Sequence, residues 1–102
     1  MRLMTKELEK RFVQVGSQKN VKDPVIIAKF FVCDPGGDDI LYATEYDPKN
    51  KLFFGYVSLF GGWIEQWEHF SLAEMESYKG PWGLGIERDL YWTEVKASSV
   101  TR

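Results

Sequence analysis

The sequence predicts an α+β fold: an antiparallel, meander-like sheet of about four or five strands, with an N-terminal helix and a short helix in the C-terminal half packed on it. Three observations lead there. Asp39 to Phe60, DILYATEYDPKNKLFFGYVSLF, holds two runs that alternate at period two around Asp47-Pro48-Lys49-Asn50, the pattern of a β-hairpin. Thr5 to Val15 places Leu8, Phe12 and Val15 on one helical stripe. Ser71-Leu72-Ala73-Glu74 is a capping box, with serine as N-cap and glutamate three residues on. A chain of 102 residues has room for one core, so residues 1–102 are expected to form a single domain.

Taken in order, the first helix has Thr5 as its N-cap, Glu7 and Glu9 where the helix dipole favours acids, and Gly16 as its stop. Ser17 to Asp23 is a polar loop carrying Lys19 and Lys22. Pro24 to Cys33, PVIIAKFFVC, is apolar on both faces and reads as one inner strand opened by proline, with Lys29 snorkelling to an edge. Asp34-Pro35-Gly36-Gly37-Asp38 is a loop leading into the hairpin. In the hairpin turn, Pro48 pre-sets φ for the first corner, Asp47 can bond back to the backbone, and Asn50 tolerates a left-handed conformation. Gly61-Gly62 breaks the chain, and Trp63 to Phe70, WIEQWEHF, follows as an edge strand because neither of its faces is cleanly apolar. Leu72 to Tyr78 forms the second helix, with Phe70 and Met75 as a hydrophobic staple and Gly80-Pro81 as its end. GPWGLG at 80–85 is a rigid loop with Trp82 at its tip; Ile86 to Thr93 returns as a strand or irregular segment, and 96–102 is a frayed polar tail.

Composition narrows the chemistry. Cys33 is the single cysteine and is expected to be a buried, inert thiol, which fits a reducing, cytoplasmic setting. The first ten residues, MRLMTKELEK, are too charged for a signal peptide, and no window approaches the roughly 20 apolar residues of a membrane span. Charge is uneven: residues 1–22 carry six basic side chains against Glu7 and Glu9, whereas residues 34–94 carry twelve acids against four bases. A basic amino end on an acidic body steers partners, or is simply solvated surface.

His69 is the sole histidine, so an ordinary zinc site is excluded, and no nucleophile-elbow spacing supports a hydrolase built on it. Asp34, Asp38 and Asp39 cluster without the ligand spacing of an EF-hand, which reads as a solvated loop more readily than as a cation site. No catalytic residue, metal or cofactor is expected. Tyr42, Tyr46, Phe54 and Tyr56 fall where they would line one sheet face, a stacking platform for single-stranded nucleic acid if exposed and core if not. The acids around them, Glu45, Asp47, Glu65 and Glu68, oppose phosphate and favour the core. The stretch Lys79 to Trp92 is the most unusual. It offers Trp82, Glu87, Arg88 and Asp89 as interface anchors. Against this stands Trp82 folding back as a lid, with Arg88 in an internal ion pair.

The runs VIIAKFF, YATEYDP, LFFGYV, FSLAEMES, GPWGLG and IERDLYW together resemble a family known as domain of unknown function 2958, across about Thr5 to Trp92. TEYDP at 44–48, FSLAE at 70–74 and GPWGLGIERDL at 80–90 are its most specific parts; where members commonly carry proline after the loop leucine, this chain has Gly85. The resemblance implies a setting on plasmids, phages and conjugative elements, near antirestriction or DNA-modification genes, and supplies no catalytic residues. The expectation is therefore a non-enzymatic protein-binding module, an inhibitor of a host defence nuclease of the anti-CRISPR or antirestriction type. Its partner-binding residues would be Trp82, Glu87, Arg88 and Asp89, with Asp34, Asp38, Asp39 and Asp47 complementing a basic surface. The alternative is a nucleic-acid-handling accessory binding single strands through the sheet aromatics. No membrane partner is expected, and the chain is read as a monomer or homodimer.

Overall fold

The computed structural model describes residues 2–33 and 38–101. Helix α1, Lys6–Val15, is capped by Thr5, whose hydroxyl accepts from the Leu8 N–H at 3.1 Å, and it ends at Gly16. Its apolar stripe buries Phe12 and half-buries Leu8 and Val15. The strands are β1 Val25–Ile26, β2 Ala28–Val32, β3 Ile40–Asp47, β4 Leu52–Leu59, β5 Ile64–Ser71, β6 Ile86–Arg88 and β7 Val95–Lys96. Helix α2, Leu72–Ser77, follows β5 directly, with the Ser71 hydroxyl accepting from Glu74 N–H at 3.3 Å.

The main sheet has the order β5-β4-β3-β2-β6, antiparallel throughout, so β2 to β5 form a meander and β6 returns beside β2. The helices cover one face, where Phe12, Phe30, Phe53, Leu72 and Met75 form the principal core. Phe53 is its hub, 5.8 Å from the Phe12 ring, 5.3 Å from Phe30 and stacked on Phe70 at 5.3 Å. The opposite face has a smaller core of Ile26, Tyr42, Tyr56 and Ala97, closed by Trp92 and Val100 from the C-terminal segment.

Four expectations are corrected. Pro24 to Cys33 is not one strand: β1 pairs with β7 in a separate two-stranded sheet, and β2 alone joins the main one. Lys29 does not reach an edge, because β6 lies beyond β2; its ammonium sits 4.0 Å from Asp89 and 5.7 Å from the centre of the Trp92 ring. The hairpin turn puts positive φ on Lys51 (51°) rather than Asn50, whose amide instead donates to Asp47 at 2.7 Å. The expected polar tail at 96–102 is not frayed over its described part. Ala97 is buried, the Ser98 hydroxyl donates to Asp23 at 2.6 Å, and the Ala97 N–H donates to Pro24 O at 2.8 Å. That segment is short of apolar residues yet docked, because Ala97 and Val100 complete the second core.

One irregularity decides which rings share a face. The β3–β4 register slips between Ala43 and Glu45, leaving Thr44 as an extra, buried residue whose hydroxyl donates to Phe54 O at 3.2 Å. Such a bulge shifts every later side chain by one place. Tyr42 stays on the open face, opposite Tyr56, while Tyr46 turns under the helices against Phe12 and Phe53. Tyr46 is thus removed from the predicted aromatic platform.

Candidate functional site

Strand direction gathers one end of the sheet into a rim. The end of β2, the starts of β3 and β6, and the β4–β5 turn all meet there. Across this rim stand Trp63, 90 % exposed, Phe60, 64 %, and Trp82, 71 %, with Ile64 and Leu84 also exposed. Rings of this size normally bury their area, and exposed ones at the two corners of one sheet end offer anchors to a partner.

The rim is rigidly built. Gly80 N–H donates to Leu84 O and Gly83 N–H donates to Gly80 O, both at 2.9 Å, closing the loop that holds Trp82 outward. Gly85 O accepts from Cys33 N–H at 3.0 Å and fixes that loop to β2. Cys33, expected to be buried, is half-buried here because it lies just past the last β2 pair. At the other corner Phe60 has φ 54°, a left-handed conformation costing a bulky residue roughly 1–2 kcal/mol. The Asp39 carboxylate holds it there by accepting from the Phe60 N–H at 2.8 Å. Asp38 stands beside Gly61, so both carboxylates lie between the two aromatic corners.

The remaining predicted anchors are dispersed. Glu87 is exposed and pairs with Phe31 across β6–β2. Arg88, one residue on, is opposite buried Phe30 and so turns to the helix-covered face. Asp89 continues toward the far end, where it meets Lys29 and accepts from Tyr91 N–H at 2.9 Å. Asp47 closes the β3–β4 turn at the opposite end of β3 from Asp39, roughly 26 Å away at the usual rise per residue. There Asn50 hydrogen bonds hold its carboxyl below the ordinary range. Asp34 lies outside the described residues. Sequence reading missed Phe60 and Trp63 as rim residues. Their signal was a large ring on each side of Gly61-Gly62, since a tight turn cannot send both into the core.

A second feature lies on the open face. Trp67 stacks on Phe54 at 6.0 Å and 18°, meets Tyr56 edge-on at 5.4 Å, and Phe54 continues to His69 at 4.9 Å. Cavities of about 550, 240 and 190 Å³ adjoin along this ring line. The first two share Lys22, Pro24 and Trp67; the second and third share Lys19, Glu45 and Phe54. Gln18 fixes their wall: its amide donates to Val25 O at 2.9 Å and Thr44 O at 2.7 Å and accepts from Val25 N–H at 2.8 Å. Burial, then the Glu65 charge, raises the Tyr42 pKa, keeping that phenol neutral. Among the described residues no hydrogen bond joins His69 to a nucleophile or carboxylate. No group of three His, Cys, Asp or Glu among them could hold a metal ion, and no helix is long and apolar enough to cross a membrane.

Comparison with known proteins returns a family and no function. No curated protein and no solved structure matches the chain. The family described as "Protein of unknown function (DUF2958)" matches residues 3–101, nearly the whole chain, and the protein belongs to that family.

Proposed function

We propose that the chain is a non-enzymatic, cytoplasmic protein-binding module whose docking face is the aromatic and acidic rim. In this reading it is carried by a mobile genetic element and acts as a stoichiometric inhibitor of a host defence nuclease, of the anti-CRISPR or antirestriction type. The observation that carries the reading is the placement of Trp63, Phe60 and Trp82 with Asp38 and Asp39 on one sheet end. Exposed tryptophans are the side chains that most often dominate interface energies. Carboxylates between them complement the basic groove a nuclease offers to DNA, and they make association salt-sensitive. The test is affinity capture of the tagged protein from a host with active defence systems, nuclease-treated and read by mass spectrometry. A stoichiometric effector subunit is expected, released by Trp82→Ala or Trp63→Ala. Unchanged affinity in both variants refutes the rim as the docking face.

A second reading, an accessory that handles single-stranded nucleic acid, is favoured by the open-face groove. Trp67 and Phe54 offer a stacking surface there, and Lys19 and Lys22 stand at its wall. Glu45 lies in the same groove and Glu65 beside it, which opposes phosphate. A labelled single-stranded oligonucleotide that shifts at low salt, and not with Trp67→Ala, supports this reading; no binding at low salt removes it.

A further inference from the structure

Strand β5 is an eight-residue sheet edge, and among the described residues it pairs with β4 alone. Its register with β4 runs unbroken from Leu52↔Ser71 to Leu59↔Ile64, with no bulge. Free edges of this length are usually blunted by charged side chains, lysine above all, by proline or by a bulge, because their outward N–H and C=O groups template another strand. The β5 sequence IEQWEHFS contains neither lysine nor proline, and its only charges are Glu65 and Glu68.

We propose that β5 is a dimerisation edge, occupied by β5 of a second copy of this chain in antiparallel, two-fold pairing centred on Trp67. This inference goes beyond the rim, with which it shares Ile64, and rests on the strand edge rather than on the rim's function. The occupant follows from complementarity. A two-fold axis normal to the sheet places each residue opposite one on the same face. Centred on Trp67, it sets Trp67 against its own copy and Glu65 against His69 of the partner subunit on the open face. On the helix face it sets Ile64 against Phe70 of the partner subunit, and Gln66 against Glu68 of the partner subunit. Glu65, which already accepts from the Tyr56 hydroxyl at 2.6 Å, and Glu68, which already accepts from the Gln66 amide, each gain a further polar neighbour, and the exposed Ile64 and Trp67 gain apolar ones. The neighbouring registers do worse. Centring on Glu68 puts that carboxylate opposite itself, and centring on Gln66 puts Glu65 opposite Trp67 and Ile64 opposite Glu68. The result is one continuous sheet through two protomers, a closed two-fold assembly.

Sedimentation equilibrium of the unmodified protein should give twice the 11.9 kDa chain mass. His69→Glu creates two like-charge pairs and should weaken the dimer about tenfold or more; adding Glu65→Lys should restore it. Register is read by cysteine trapping in a Cys33→Ser background. Trp67→Cys should cross-link to its own copy, whereas Gln66→Cys, two positions out of line with its copy, should not. A single-chain mass at the highest soluble concentration overturns the proposal. So does a dimer that forms no cross-link through position 67, or one that cross-links through position 66 instead.

Discussion

Gly55→Ala tests the packing logic most directly. Gly55 lies in the middle of β4, opposite Ala43 and next to the bulge. A Cβ there would overlap the Tyr42 carbonyl oxygen, and would stand 2.8 Å from the Tyr42 carbonyl carbon and 3.0 Å from the Ala43 Cα. All three are backbone atoms of a central strand, so no rotamer change relieves the clash and the two strands must part. Overpacking of a tight site costs about 1–3 kcal/mol, and an unyielding backbone argues for the upper end. Alanine also narrows the unfolded ensemble, which offsets about 0.4–1 kcal/mol. The net expectation is a loss of about 2–2.5 kcal/mol, or on the order of 10–20 °C in Tm. Urea unfolding followed by tryptophan fluorescence reads it. Gly83→Ala is the control: nothing lies within 4 Å of its Cβ position and φ is 76°, so only the left-handed conformation is penalised. That costs roughly 1–2 kcal/mol. If Gly55→Ala is no more destabilising than Gly83→Ala, the close approach of β3 to β4 is not what demands glycine.

Other outcomes follow from particular residues. Gln18→Leu strips three backbone groups of Val25 and Thr44 of their partner in a site where Gln18 is 6 % exposed. A loss of about 2–4 kcal/mol in urea unfolding is expected, since each buried orphan group costs on the order of 1–3 kcal/mol and the groove wall partly rehydrates. Trp82→Ala should change stability by less than about 0.5 kcal/mol while abolishing capture of the partner, separating anchor from core. Hydrogen bonds from Ser98 lower the Asp23 carboxyl below its ordinary range. A carboxyl depressed in the folded state stabilises above its unfolded pKa, and that contribution is lost as pH falls through the folded one. Amide protection factors at Ala97 and Val100, taken against the intrinsic exchange rate at each pH, should therefore fall on acidification below the usual carboxylate range, and Ser98→Ala should flatten that dependence.

Much of the fold was legible from local chemistry. Thr5 and Ser71 each supply an oxygen to an orphan helix N–H, so both helix starts could be read from residue type and spacing alone. The β3–β4 hairpin and the edge position of β5 were legible for a similar reason: alternation and mixed polarity are properties of consecutive residues. The site was legible only in part. Trp82 on its glycine-framed loop could be singled out, but Glu87 and Arg88 could not be separated until β2 fixed which side of β6 faces the helices.

What the sequence by itself determined is the two helices with their N-caps, the β3–β4 hairpin and the edge position of β5. Only the tertiary structure decided the rest. The bulge at Thr44 sent Tyr46 under the helices and left Tyr42 in the second core on the other face, because a one-residue slip reverses every face beyond it. The C-terminal segment docked on the opposite face because two modest apolar residues complete a core built from distant strands. And Trp82 shares one rim with Phe60 and Trp63, which sit together in the distant β4–β5 turn, because antiparallel pairing brings alternate strand ends together. Such non-local pairings leave no periodic trace in the sequence, so that rim had to be found in three dimensions.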